Sequence, residues 1–218
     1  MMLKYLVVGL VLIAGAAEAQ LGTDGGRNGG VLRQELSVAG IRIGMSPADV
    51  EAAMRARGYA LSQRAMGRSW DSLISRRLAS TRPGFRASNG TVVDLEIYAK
   101  GDEHVQISYV PAPGGAEVSE VAYQIAEAAI TPERFSASVV ERYGRPARTE
   151  DSVSLYCSAG EPRCAFTEAS ELPTLVAYSG WQGRRLILHQ GNRAMRAHEA
   201  RIAAEVARRA PPARRTTF

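Results

Sequence analysis

The stretch Ile41-Arg42-Ile43-Gly44-Met45-Ser46-Pro47-Ala48-Asp49-Val50 sets the plan of the chain. Ile41 to Gly44 reads as a short strand. Ser46 is then a helix N-cap, Pro47 takes the first helical position, where its missing N–H is no loss, and Asp49 follows three residues after the cap. Val50, Ala53 and Met54 share one face of the helix that results, and Gly58 supplies a left-handed stop before Tyr59 and Leu61.

The same grammar returns about eighty-five residues later. Thr131-Pro132 opens a helix, Phe135, Val139 and Val140 form its apolar stripe, and Tyr143-Gly144-Arg145-Pro146 ends it. Aligning Ser46 with Thr131 brings Gly58 to within one residue of Gly144, the mark of a degenerate internal duplication. Each helix is followed by strands. In the first half Val93, Leu95 and Ile97 alternate with Asp94, Glu96 and Tyr98, and after the Lys100-Gly101-Asp102 turn Val105, Ile107 and Tyr109 alternate with Gln106 and Ser108. This is an antiparallel hairpin with one wet face, on which Asp94 and Glu96 are expected to sit. Val118 to Ala126 fits a helix through Val118, Val121, Ala122 and Ile125, or a strand through Val121, Tyr123 and Ile125. The hairpin and the glycine turn before it favour a third strand of a meander. In the second half, strands are expected at Val153 to Cys157, Thr174 to Tyr178 and Arg184 to His189, the last two joined by a turn at Gly180-Trp181-Gln182-Gly183.

Two further helices complete the reading. Ser69 to Ser80 carries Trp70, Leu73, Ile74 and Leu78 at helical spacing, a core stripe, and Arg193 to Arg209 forms an Ala- and Arg-rich helix before a frayed tail. The expected fold class is α+β: two tandem halves, each with one or two helices packed on an antiparallel meander, plus a C-terminal helix. The halves span residues 38–128 and 129–192, and residues 193–218 form the basic C-terminal helix and tail.

Residues 1–19 read as a signal peptide: a short basic start with Lys4, an apolar run from Tyr5 to Ala17, and Ala17-Glu18-Ala19 before Gln20. No Cys stands near that point to take a lipid anchor, so a soluble periplasmic or secreted product is expected, with no transmembrane segment in the mature chain. Residues 20–37 form a Gly-rich linker. At 218 residues, 45% hydrophobic and 22% charged, the composition excludes disordered and collagen-like chains and a polytopic membrane protein.

The net charge of +5 is carried almost entirely by arginine, because Lys4 and Lys100 are the only lysines. One basic patch gathers Arg64, Arg68, Arg76, Arg77, Arg82 and Arg86 against Asp71; a second, from Arg184 to Arg215, holds nine arginines against Glu199 and Glu205. For an exported chain these point to an envelope protein or an anionic lipid surface as partner, with no nucleic acid. Arg76, Arg77 and Arg82 are the candidate binding residues. Cys157 and Cys164 flank a turn-forming stretch, and in an oxidising compartment they are expected to pair as a structural disulfide. His104 starts a strand, His189 ends one and His198 lies on a surface helix, so no two have metal-pair spacing. No nucleophile elbow, zinc helix or phosphate loop occurs, and no catalytic, cofactor or metal set is expected.

With Ile41 to Val50, Gly58-Tyr59 and Arg142-Tyr143-Gly144-Arg145-Pro146, the chain resembles proteobacterial envelope proteins of the SmpA/OmlA type, small lipoproteins that contribute to outer-membrane β-barrel assembly. A similar helix pair on a duplicated antiparallel sheet occurs in the β-lactamase inhibitor protein family. The resemblance spans residues 38 to 190 and carries over no binding residue, and the lipoprotein Cys is absent. It implies a non-enzymatic periplasmic binding or cell-envelope-associated module. An enzyme inhibitor acting through its concave sheet face is the alternative, and a hydrolase built from dispersed His, Asp and Ser residues is a third. The mature N-terminus is expected at Gln20; mass spectrometry of the exported protein checks this, and an intact Met1 in the soluble periplasmic fraction would contradict it.

Overall fold

The computed structural model describes residues 36–81, 85–161, 164, 170–180 and 183–210. The expected signal peptide, the Gly-rich stretch up to residue 35, Arg82, the middle of the 180–183 turn and the tail from Pro211 lie outside them. The last two residues of the expected linker are packed, since Leu36 is buried and the Ser37 carbonyl accepts the Tyr143 hydroxyl at 2.7 Å. No helix among the described residues is long and apolar enough to cross a membrane.

The two capped helices form where their signals stand. Helix α1 (Pro47–Ala56) is capped by the Ser46 hydroxyl, which accepts the Asp49 N–H; helix α3 (Pro132–Tyr143) is capped in the same way by Thr131 and Arg134. Four strands follow each helix. After α1 come β1 (Ala60–Arg68), β2 (Thr91–Lys100), β3 (Glu103–Ala112) and β4 (Gly115–Ile125); after α3 come β5 (Arg148–Glu150), β6 (Val153–Cys157), β7 (Thr174–Tyr178) and β8 (Arg184–His189). All eight join in one antiparallel sheet of order β1-β2-β3-β4-β8-β7-β6-β5. That order maps onto itself when the halves are exchanged, with the last strand of each half meeting at the centre. Residues 115–125 are therefore a strand, and a central one. Strands β1 and β5 were missed by sequence patterning, since both lie at the sheet's outer edges and show no apolar alternation. The expected strand at Ile41 to Gly44 is instead a tight turn with a single Val38–Ile41 bridge; Gly44 and Val118 continue the connection by backbone hydrogen bonds rather than a ladder.

Helices α1 and α3 both pack on one face of the sheet. Val50 and Met54 from α1 and Phe135 and Val139 from α3 join Val105, Ile107, Val121, Leu175 and Leu188 in one apolar cluster. The other face of the second half carries a smaller cluster of Leu155, Cys157 and Val176. There the Cys157–Cys164 disulfide, with Cα atoms 5.9 Å apart, closes its loop, and so short a loop is stabilised by about 2.5 kcal/mol in the chain-entropy picture.

The register of β2 overturns the expected wet face. Glu96 and Tyr98 lie opposite Ile107 and Val105 and so face the core, whereas Leu95 and Ile97 lie opposite Ser108 and Gln106 on the other side. Glu96 has 0% exposure. Its carboxylate accepts Tyr109 Oη at 2.5 Å, Tyr98 Oη at 3.1 Å and Arg64 Nε at 2.8 Å, and Arg64 also reaches Glu51 of α1 at 3.3 Å. Burial, together with the Glu96 carboxylate, drives both tyrosines far above the usual phenol range, so both remain donors. Asp94, by contrast, is exposed as expected.

Helix α2 (Trp70–Thr81) is inserted between β1 and β2, and its base is closed by the Ser69 N–H donating to the Gly90 carbonyl and by Ser72 donating to the Ser88 carbonyl. Helix α4 (Asn192–Arg209) lies on it, with Ile202 packed among Trp70, Ile74 and Leu78. Gly191 caps α4 because a Cβ there would fall 2.2 Å from the Glu171 carbonyl oxygen. His198, expected on the surface, is half-buried with its ring 5.9 Å from Trp70 and its Nδ1 enclosed without a hydrogen-bond partner among the described residues.

Two measurements follow from these buried groups. Arg64→Met leaves Glu96 with phenol donors alone, and should cost about 2 kcal/mol in urea unfolding, below the fully buried case because Arg64 is 37% exposed; adding Glu96→Gln should recover about half. Desolvation, with Arg201 beside it, holds the His198 imidazole below its ordinary value, so the unfolded chain takes up a proton that the folded chain resists. Stability is then complete above about pH 6.5 and falls as the pH drops below it. Thermal unfolding at pH 7.5 and 5.5 should show a smaller acid loss in His198→Phe than in the wild type.

Candidate functional site

The sequence-predicted arginines are not gathered into one bare patch. Arg76 is exposed on α2, Arg77 pairs with Glu199 of α4 at 2.8 Å, and Arg82 lies outside the described residues. The C-terminal group is largely neutralised by acids from other elements: Arg196 by Glu171, Arg201 by Glu117 at 3.4 Å, and Arg209 by Asp71 at 2.7 Å. Glu205 also binds Arg208 and Arg209, which hold its carboxyl down at about 2. Arg184 is buried, not part of an exposed patch. Sequence counting saw the arginines but not acids brought in from β4, α2 and the 171 loop.

The seam between the halves carries a different constellation. A cavity of about 550 Å³ opens between the end of α1, the β2–β3 turn and α3. Its floor is apolar, formed by buried Phe135, Val139 and Leu186 with half-buried Ile125 and Ile130. Its mouth carries exposed Arg57, Lys100 and Arg142. None of these three cations has a carboxylate within ion-pair distance among the described residues. Arg57 and Arg142 stand at the same interval as the caps Ser46 and Thr131, so each helix supplies one arginine from its last turn region.

Each cation has a defined neighbour. Arg57 donates to the Ala53 carbonyl at 3.0 Å, and its guanidinium lies over Gly40, where a Cβ would fall 2.2 Å from it. Gly40 has a φ of +78°, a conformation that favours glycine. Lys100 lies opposite Glu103 in the ladder, yet its ammonium sits 5.5 Å over the Tyr59 ring. Arg142 sits 5.4 Å from the Tyr143 ring. The Glu103 carboxylate is turned instead to phenols, accepting the Tyr59 hydroxyl and facing Tyr123. Burial, then Glu103, raises both tyrosines, Tyr59 well above the phenol range and Tyr123 to about 12. They stay protonated at neutral pH and serve as donors, not bases.

This arrangement offers fixed positive charge, phenol donors and an apolar floor. It holds no His or Cys and no activated hydroxyl. On the far sheet face His189 Nδ1 pairs with Glu120 at 2.9 Å, but no hydroxyl is hydrogen-bonded to that imidazole among the described residues. No group of three or more His, Cys, Asp or Glu residues that could hold a metal occurs among them either. Sequence reasoning missed the cavity, although the Arg57 and Arg142 correspondence was present in the duplication. Compared with protein families, curated proteins and solved structures, the chain finds no match.

Proposed function

We propose that this is a non-enzymatic binding module of the cell envelope, exported to the periplasm or beyond, that takes an anionic ligand or partner group in the cavity between α1 and α3. The observation that carries this reading is the set of three positioned cations at one apolar cavity with no carboxylate partner of their own. Elsewhere in the fold Arg55, Arg64, Arg77, Arg196, Arg201 and Arg209 are ion-paired. Cations fixed beside apolar surface attract an anion more effectively than mobile surface charge, because little ordering remains to be done on binding. The disulfide fits an oxidising compartment, and the resemblance to small envelope proteins points the same way.

An inhibitor of an envelope enzyme is the second reading. Half-buried Leu95, Ile97 and Ala122 on the sheet face away from α1 and α3 favour it, since that face would meet the enzyme.

The deciding experiment captures ligands from envelope extract on the mature protein, with bound molecules identified by mass spectrometry. Arg57→Glu with Arg142→Glu should abolish capture, and raised salt should weaken it, while Arg76→Ala with Arg77→Ala leaves it unchanged. Capture that survives the pocket reversal but fails in the α2 variant would transfer the site to the α2 arginines. Capture lost only on Ile97→Arg would favour the inhibitor face.

A further inference from the structure

We infer that the α1–α3 cavity is shaped for a single-tailed amphiphile with one anionic head, a carboxylate or a phosphate, whose apolar tail lies on the floor while the head rests at the mouth. The inference rests on the reading of this cavity as the binding site, and it adds the class of occupant.

Segregation within the cavity carries the argument. The three cations are all at the solvent end and exposed, whereas Phe135, Val139 and Leu186 are each less than a tenth exposed and have no polar side-chain group to offer a ligand. A small inorganic anion would satisfy the mouth and leave the apolar floor wet. A neutral apolar molecule would fill the floor and leave three cations unmatched. A molecule with both parts satisfies both ends, and a volume of about 550 Å³ lies within the ~300–1,000 Å³ typical of small-molecule sites.

The polar groups further in select the sign of the head. Glu103 is the one carboxylate lining the cavity, and it is occupied by the Tyr59 hydroxyl with Tyr123 facing it. A cationic head at the mouth would meet Arg57, Lys100 and Arg142 directly, and would have to displace those phenols to reach Glu103. An anionic head meets donors instead: the guanidinium of Arg57 on its Gly40 seat, the Lys100 ammonium over Tyr59, and Arg142.

Calorimetric titration of the mature protein below micelle-forming concentrations tests this with four probes: dodecanoate, dodecyl phosphate, 1-dodecanol and acetate. Dodecanoate or dodecyl phosphate should saturate at one per chain, and the tighter of the two identifies the head. Removing either the charge, as in 1-dodecanol, or the tail, as in acetate, should weaken binding at least about tenfold. Arg57→Ala with Arg142→Ala should weaken the anionic amphiphile by a similar factor. Ser138→Trp, which places a ring at the exposed edge of the cavity without touching the core, should block it. Equal binding of 1-dodecanol and dodecanoate, or binding that survives Ser138→Trp, would overturn the assignment. If neither amphiphile saturates while Arg57→Glu with Arg142→Glu still abolishes capture from extract, the cavity remains the site and the amphiphile is wrong. If capture is also insensitive to that reversal, both readings fall together.

Discussion

Glu96 is a carboxylate with 0% exposure on the core face of an eight-stranded sheet, and much of the first half is arranged to make that tolerable. A buried charge is stable only when its lone pairs are met, and here two tyrosines and one arginine meet them. Each partner fixes a different relation. Tyr98, two residues along the same strand, turns inward together with Glu96; Tyr109 locks β2 to β3; Arg64 draws the edge strand β1 in and, through Glu51, reaches α1. A one-residue slip of β2 would put Glu96 in water and Leu95 or Ile97 inside. Hydrophobicity alone would accept that slip. The network does not, so it specifies register where apolar pattern is ambiguous.

The position of α1 follows from the same constraint. Glu51 on the helix and Glu96 on the sheet share Arg64, so the outer side of α1 is tied to β1 while Val50 and Met54 pack inward. The opposite end of α1 delivers Arg57 and then Tyr59 to the seam between the halves. Among the described residues, helix α3 has no equivalent of the Glu96 network. It is held by its larger apolar stripe of Phe135, Val139 and Tyr143, and by the Tyr143 hydroxyl on the Ser37 carbonyl. The two halves thus reach the same topology by different means, one through a satisfied buried charge and the other through aromatic packing and a disulfide. The seam between them is where the ends of α1 and α3 converge, so that corresponding positions after the two caps supply two cations to one cavity.

Legibility in the sequence followed the locality of each signal. The caps at Ser46 and Thr131, the stripe of α2, the hairpin turn at Gly101 and the Cys157–Cys164 loop are decided by residues within a few positions of one another, and all stand where the sequence places them. Strands β1 and β5 lacked a local signal because an edge strand is held by its neighbour's backbone and needs no buried alternation. The face of β2 was misread because Glu96 counts as polar in any periodicity, and its partners Tyr109 and Arg64 lie 13 and 32 residues away. The turn at Ile41 was read as a strand from two β-branched residues, whereas its conformation is set by positive φ at Ala39, Gly40 and Gly44.

Charge shows the same limit more sharply, and there it bears on function. A count of arginines along the chain ranks the C-terminal segment as the most basic region, yet folding brings it Glu117, Glu171 and Asp71, and most of its described arginines become ion-pair partners. Arg57, Lys100 and Arg142 lie far apart in sequence and form no cluster in any such count. What sets them apart is that all three line one apolar cavity with no ion-paired carboxylate among the described residues, Arg57 beside Gly40 and the other two beside aromatic rings. Binding capacity in an arginine-rich protein therefore depends on which cations the fold leaves uncompensated beside apolar surface, and density along the chain is a poor guide to it.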